Sequence, residues 1–349
     1  MATYELTGEE LANLLAAQAD ATTFGPQTTS GFSWLEAVEG CASPDAMRQA
    51  RSAQSAKGLL QPATECVGCY GKGTSAATAT ETGEIVLLGV RACGLRARTY
   101  LDKVLMEGQF QDPFYQARRE ATTTISCDCV ECAPTCFCTL VGGKPYSTEG
   151  YDVNLTPVDG EWIVEVATDK GRAWLQGQLG DNASLREATG EQLKRRDEIR
   201  REMTERVAKQ NESFSFSAAD DQAPQLPNDN DDAWQAFAAD CVECGACTNI
   251  CPTCHCFYLY DKAGGGDAFE RVRTWDSCLL STYHRMAGGV HMKLSPRPKL
   301  SSRLANRVLH KFDYSPKQYG LLGCVGCGRC IDACLGAIDI RQVVEELKG

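Results

Sequence analysis

The sequence predicts an α+β protein, with a mixed α/β domain on the amino-terminal side and a mainly helical domain on the carboxy-terminal side. Three observations predict it. At 349 residues the chain exceeds one ordinary core, and an apolar fraction of 43% is enough to fill two. The continuous apolar run Ile85-Val-Leu-Leu-Gly-Val90, followed by a turn and a helical pattern, has the order of an α/β unit. Beyond residue 185 the apolar residues recur at helical spacing instead. The 20 cysteines would staple a small secreted protein, but in a chain this long they read as metal ligands kept reduced in the cytoplasm. Met1-Ala-Thr-Tyr-Glu-Leu6 has neither the basic nor the long apolar region of a secretory signal. No apolar stretch approaches the ~20 residues that cross a bilayer, so no membrane partner is expected. A net charge of −11 repels phosphates and excludes nucleic acid as a partner.

The elements follow in order. Thr7-Gly-Glu-Glu10 is a capping box, and Leu11, Leu14 and Leu15 continue it at helical spacing. Residues 21–60 carry no clear periodicity and are expected to be irregular, with Cys41 a small buried hydrophobe. Cys66-Val-Gly-Cys69-Tyr-Gly71 is expected in a glycine-rich turn, where it is redox-active, metal-binding or merely structural; the strand-to-helix setting of a thioredoxin-type site is missing. After the strand at 85–90, Arg91-Ala-Cys93-Gly94 turns the chain and Leu95 to Met106 reads as a helix. Ligands collect at the carboxyl ends of such strands, and Cys93 stands there. Ala121 to Ser126 is a further strand, followed closely by Cys127, Cys129, Cys132, Cys136 and Cys138; Glu161 to Val166 alternates as a later one. A long charged helix over 185–210 shows a thin apolar stripe of Leu193, Ile199, Met203 and Val207. The polar stretch 211–232 reads as a linker or mobile surface loop, and Asp232 as the cap of a short helix presenting Trp234 and Phe237. The expected organisation is 1–60 helical or irregular, 61–185 mixed α/β, 186–232 charged helix and linker, and 233–349 the second domain.

That second domain holds the strongest signal. Cys241-Val-Glu-Cys244-Gly-Ala-Cys247-Thr-Asn-Ile-Cys251-Pro252 and Cys324-Val-Gly-Cys327-Gly-Arg-Cys330-Ile-Asp-Ala-Cys334 each have the spacing by which bacterial-type ferredoxins wrap a [4Fe–4S] cluster. Small residues such as Gly245, Ala246, Gly326 and Gly328 let the backbone approach the cube, and Pro252 turns the chain away with φ already set. In this pattern the fourth cysteine of each run serves the other cluster. One cluster therefore takes Cys241, Cys244, Cys247 and Cys334, and the other Cys324, Cys327, Cys330 and Cys251. Two zinc sites are the competing reading, but they leave the third and fourth cysteines of each run surplus. The module is split, because about seventy residues separate the runs, far more than compact dicluster ferredoxins use. This insertion, 258–320, is expected to be helical. It carries a basic amphipathic helix around Arg303 to Phe312, whose Arg303, Arg307 and Lys311, with Lys317 beyond, read first as a solvated face and second as an attractor of an acidic partner or of the anionic clusters.

Taken together, Gly89-Val-Arg-Ala-Cys93, Leu101-Asp-Lys103, Thr135-Cys136-Phe-Cys138-Thr139, the run from Cys241 to Phe257, Trp275-Asp-Ser-Cys278, Met286-Ala-Gly-Gly289, His310-Lys-Phe312 and the run Cys324 to Cys334 with Ile338-Asp-Ile340 carry a resemblance. The chain resembles the beta-type iron–sulfur subunit of anaerobic sulfite reductase (its A subunit), of cytoplasmic sulfhydrogenase-type hydrogenases and of related heterodisulfide-reductase-linked complexes. The resemblance implies a cytoplasmic electron conduit between a partner that binds FAD and NAD(P)H and a separate catalytic subunit. It also implies a third [4Fe–4S] cluster on Cys93, Cys129, Cys136 and Cys138, against the alternative of buried thiols or a zinc site. Cys254, Cys256 and Cys278 match family positions too, either packing beside a cluster or supplying ligands of their own, and His255 is expected at the surface or behind a ligand. Two residues depart from the pattern: Gly94 replaces an aspartate and Leu335 a proline. Cys66, Cys69, Cys127 and Cys132 lie outside it, available for one more cluster or a zinc site.

No acid–base dyad, nucleophile triad or phosphate cradle appears, and Gly264 to Gly266 is a bare glycine turn. The expectation is an electron-transfer subunit that catalyses nothing alone and binds no flavin or nicotinamide. A redox sensor and a zinc-stapled scaffold are the other readings.

Overall fold

The computed structural model describes residues 2–16, 22–29, 32–37, 43–71, 82–179, 185–218, 223–264, 266–283 and 295–349. Cys41 and the Met286-to-Gly289 motif lie outside these residues. Strands β1 (Ala2–Leu6), β2 (Thr22–Thr29), β3 (Phe32–Ala37), β4 (Thr64–Tyr70), β5 (Ile85–Val90), β6 (Thr122–Cys127), β7 (Val153–Val158), β8 (Glu161–Val166), β9 (Arg186–Glu187), β10 (Phe257–Ala263) and β11 (Phe269–Trp275) form two sheets.

The large sheet has the order β3-β2-β5-β6-β7-β8-β1-β9. Its centre, β2-β5-β6-β7, is parallel, and antiparallel strands finish both edges. Burial on both faces explains the unbroken apolar run of β5, whose Val86, Leu87 and Leu88 are all buried. On one face Leu11, Leu14 and Leu15 of the helix Gly8–Ala16 pack with Trp162 and Trp174. That helix is started by the expected reciprocal cap, Glu10 N–H donating to Thr7 Oγ1 (3.1 Å) and Thr7 N–H to Glu10 Oε2 (2.7 Å). The helix Gly190–Lys209 has its own capping box, and its stripe seats Met203 and Val207. Arg200 is buried as well, between Asp128 (2.7 Å) and Glu165.

A second core gathers Phe137, Phe216, Trp234, Val308, Phe312 and Val343. It draws on the stretch expected to be a linker: Phe216 and Ala218 are buried, and the Ala218 N–H donates to the Leu140 carbonyl. Phe214, Phe216, Ala218 and Leu226, apolar side chains spaced through a polar run, dock it. Residues 21–60, expected to be irregular, contain β2, β3 and the short helices Pro44–Arg48 and Lys57–Leu60. Asp232 does not cap the helix Trp234–Ala239; Asp231 Oδ1 accepts from the Ala233 N–H instead.

The insertion is not wholly helical. It opens with the hairpin β10–β11, where the Gly264 N–H donates to the Ala268 carbonyl. The third strand of this small sheet is β4, so Cys66-Val-Gly-Cys69 is a strand and not a turn. A bulge there leaves Val67 without a partner, and Cys66 and Cys69 come to lie with their sulfurs 3.6 Å apart on an open surface. Helices then follow: Leu300–Leu309, a π-turn at His310–Tyr314, and Ser315–Tyr319.

Candidate metal centres

Both ferredoxin runs use the same backbone device. The third and fifth residues of each have positive φ: Glu243 (54°) and Gly245 (70°) in the first, Gly326 (66°) and Gly328 (72°) in the second. Each run then enters a one-turn helix, Ala246–Asn249 or Arg329–Asp332, which swings its third cysteine back to face the first two. Glu243 takes the left-handed conformation without being glycine, and its carboxylate accepts from Arg303 at 2.8 Å.

One cavity joins cysteines of both runs. Cys241, Cys244, Cys247 and Cys334 line one space of about 420 Å³, so the last cysteine of the second run has joined the first three of the first. Cys251 comes the other way and sits in the electrostatic neighbourhood of Cys324, Cys327 and Cys330. Burial pushes the Cys324 thiol up to about 11 and Cys330 up to about 12. Such thiols give up their protons when a cation is bound among them. Cys251 is the exception: a hydrogen bond from Cys254 and the Lys311 ammonium, 3.2 Å away, hold it well below the usual thiol range despite burial.

Cys93, Cys129, Cys136 and Cys138 also meet, around a cavity of about 370 Å³. Cys93 begins the helix Ala92–Leu105 just past β5, and Cys129 follows β6, so two neighbouring parallel strands deliver one sulfur each at their carboxyl ends. Arg91 clamps this corner, donating to the carbonyls of Asp128 (2.9 Å) and Met47 (2.5 Å). The opposite wall belongs to the second ferredoxin run: the Phe137 N–H donates to the Gly326 carbonyl (2.8 Å), and Cys327 itself faces the cavity. Cys132 lines this cavity too, packed with Met203 and Val207, its thiol donating to Gln210 Oε1 at 3.2 Å.

The four cysteines outside the pattern are not brought together. Cys66 and Cys69 stay on the small sheet, Cys127 is buried with its thiol on the Met47 carbonyl, and Cys132 is at the third cavity. Chain direction separates them: β6 points Cys127 into the core beneath the sheet and passes Cys129 out beyond its end. Among the described residues no three His, Cys, Asp or Glu side chains converge on one point as a single ion requires. The cysteines ring spaces instead, an arrangement that suits a polynuclear centre.

The basic helix is where the first expectation fails. Arg303, Arg307 and Lys311 are buried, not solvated; Arg303 pairs with Glu243 (2.8 Å), whereas Arg307 and Lys311 face the cysteines; Lys317 remains exposed and pairs with Asp313 at 2.5 Å. Burial works against their charge, but Cys247 and Cys330 hold the Arg307 guanidinium, and Cys251 and Cys254 the Lys311 ammonium, well above their usual ranges. Arg307 borders two cavities, and its Nε and Nη2 find no hydrogen-bond partner among the described residues. A buried guanidinium with idle N–H groups pointing at thiol-lined spaces fits an anionic occupant such as a thiolate-ligated cluster. Two further cations went unforeseen, because both lie in the stretch without periodicity. Arg51 donates to the Cys327 carbonyl and pairs with Asp332 (2.6 Å), and Lys57 donates to the carbonyls of Asn249 (3.0 Å) and Cys254 (3.2 Å). His255 is half-buried, its ring 5.5 Å from that of His310 and its Nδ1 on the Thr253 carbonyl.

Residues 240–338 match the family described as the 4Fe-4S dicluster domain. The beta subunit of sulfhydrogenase 2 from Pyrococcus furiosus is 28% identical over 273 residues, covering 76% of this chain and 75% of the relative. Over that length this chain is similar to a sulfhydrogenase-type beta subunit. The two runs are thus an iron–sulfur part fit for electron transfer, and both border cysteine-lined cavities. Among the described residues no helix is long and apolar enough to cross a membrane.

Proposed function

We propose that this chain relays electrons within an oxidoreductase complex, between a partner that binds FAD and NAD(P)H and a separate catalytic subunit of the sulfite-reductase or hydrogenase kind. The observation that carries the reading is the packing of the third cysteine set directly onto the second ferredoxin run, through Phe137 and Gly326. Cysteine sets in contact through their own loops suit a conduit.

In this reading Cys241, Cys244, Cys247 and Cys334 hold one [4Fe–4S] cluster, Cys324, Cys327, Cys330 and Cys251 a second, and Cys93, Cys129, Cys136 and Cys138 a third. Bound clusters supply one-electron transfer at potentials set by charge, hydrogen bonding and exposure. The protein's own part is to bind and to tune. Lys311 and Arg307 place positive charge against the thiolates, and the buried walls keep water from them. In this reading flavin and nicotinamide belong to the partner.

Anaerobic purification followed by iron, sulfide and zinc analysis tests the reading. Iron and acid-labile sulfide should be present in equal amounts, and the Cys136→Ala/Cys138→Ala variant should lose about four irons, one cluster's content. NAD(P)H should reduce the chain only after the flavin-binding partner is added, whereas dithionite should reduce it alone. Direct reduction by NAD(P)H would overturn the relay role. Zinc without sulfide would identify a scaffold, and a single labile cluster a sensor.

A further inference from the structure

Cys254, Cys256 and Cys278 line a small cavity that none of the ligands assigned above touches. Arg307 forms part of its wall, with Nε and Nη2 left without partners among the described residues. Lys311 Nζ is 3.6 Å from Cys254 Sγ, and the Tyr283 hydroxyl donates to Cys256 Sγ at 3.4 Å. Asp276 completes the ring: it lines the same cavity, and its backbone N–H is tied to the Cys256 carbonyl at 3.0 Å.

The chain repeats itself at this point. Pro134-Thr135-Cys136-Phe137-Cys138 and Pro252-Thr253-Cys254-His255-Cys256 share one pattern, and Asp128-Cys129-Val-Glu-Cys132 is matched by Asp240-Cys241-Val-Glu-Cys244. The first copy sends both of its cysteines into the third cavity, and the second copy sends both of its own into this one. Each copy also leans on the second ferredoxin run, through Phe137 N–H to the Gly326 carbonyl in one and Thr253 Oγ1 to the Gly323 carbonyl (2.6 Å) in the other.

We infer that Cys254, Cys256 and Cys278, with the Asp276 carboxylate as fourth ligand, hold a further iron–sulfur cluster. Three soft thiolates beside buried cations select iron–sulfur chemistry over a hard ion. Lys311 Nζ, 3.2 Å from Cys251 Sγ and 3.6 Å from Cys254 Sγ, places this cavity against the second ferredoxin set, as Cys327 places the third cavity against it. That set then stands at a junction with neighbours in several directions. The inference rests on iron–sulfur chemistry in this chain and not on the partners proposed above.

The test uses the full-length chain, isolated anaerobically and reconstituted with iron and sulfide. Iron and sulfide should exceed the content of three clusters by about one third. The Cys254→Ser/Cys256→Ser/Cys278→Ser variant should lose about one quarter of both, while EPR retains the signals of the remaining centres. Should that variant fail to fold, a reductive titration of the unmutated chain decides: one reduction step more than three clusters provide is expected, and no extra step would overturn the inference. The Asp276→Cys variant, with an added thiolate, should move one midpoint to lower potential and leave the iron content unchanged; no movement would overturn the ligand set. Undiminished iron in the triple variant would sink the fourth cluster alone. A chain that takes up no iron would sink the relay reading with it.

Discussion

Gly326 sits at a φ of 66°, and a Cβ built there would lie 2.5 Å from Cys138 Cα and 2.6 Å from the Phe137 carbonyl oxygen. Two cysteine loops meet across that one missing side chain. Gly320 has nearly the same φ, 68°, but nothing within 4 Å of its would-be Cβ. The pair separates conformational cost from close approach. Gly320→Ala should cost about 1 kcal/mol, the left-handed penalty alone. Gly326→Ala adds overpacking of about 1–3 kcal/mol and should also reduce iron bound at Cys136 and Cys138. Urea denaturation and iron analysis, both anaerobic, would check this; equal effects of the two substitutions would mean that the loops need not touch.

Among the elements, the helix Gly190–Lys209 does more than cover the sheet. Its Arg200 is 8% exposed and joins Asp128, at the carboxyl end of β6, to Glu165 on β8. Asp128 also accepts from Thr156 Oγ1 (2.7 Å) and Asn154 Nδ2 (3.2 Å), so a buried polar network anchors the residue that precedes Cys129. Arg200→Met keeps much of the volume but leaves the buried Asp128 without its cation, while Glu165 keeps Arg196 (2.9 Å), at an expected cost of about 3–5 kcal/mol. A urea midpoint unchanged from the parent would refute the network's importance. The helical period of this element was plain in its sequence, but its buried arginine was not: Arg200 stands in a run of charged residues and is told apart only by what faces it. The same holds for Leu300–Leu309, where Arg303 and Arg307 had the look of a wet face.

Across the whole molecule, the two ferredoxin runs are intertwined, with the insertion looping out between them as hairpin and helices. The proposed crossed ligation makes a specific demand on single substitutions. Cys334→Ser should weaken the cluster of the first run, and Cys251→Ser that of the second, each opposite to the run in which the residue lies. Anaerobic EPR of the two variants, combined with Cys244→Ala or Cys327→Ala to label each cluster, reads the assignment. Loss of the cluster belonging to the residue's own run would reverse it. The hairpin of the insertion illustrates how far such pairing reaches: β11 takes β4 as its neighbour from the other end of the chain, and Arg273 holds Glu65 and Asp112 there.

What the amino-acid order determined by itself is whatever depends on short spacing: the two cysteine runs, the capping boxes, the strand Ile85–Val90 and the helix after it. A loop that wraps a cluster and a helix that hides one stripe are local solutions, and their residues lie within a few positions of each other. Tertiary structure alone decided which distant sulfurs share a cavity, that the basic helix turns inward, and that β4 leaves its sequence neighbours for the hairpin. Those outcomes rest on burial, and a charged side chain is buried only when the groups opposite it, brought from far along the chain, can meet its charge.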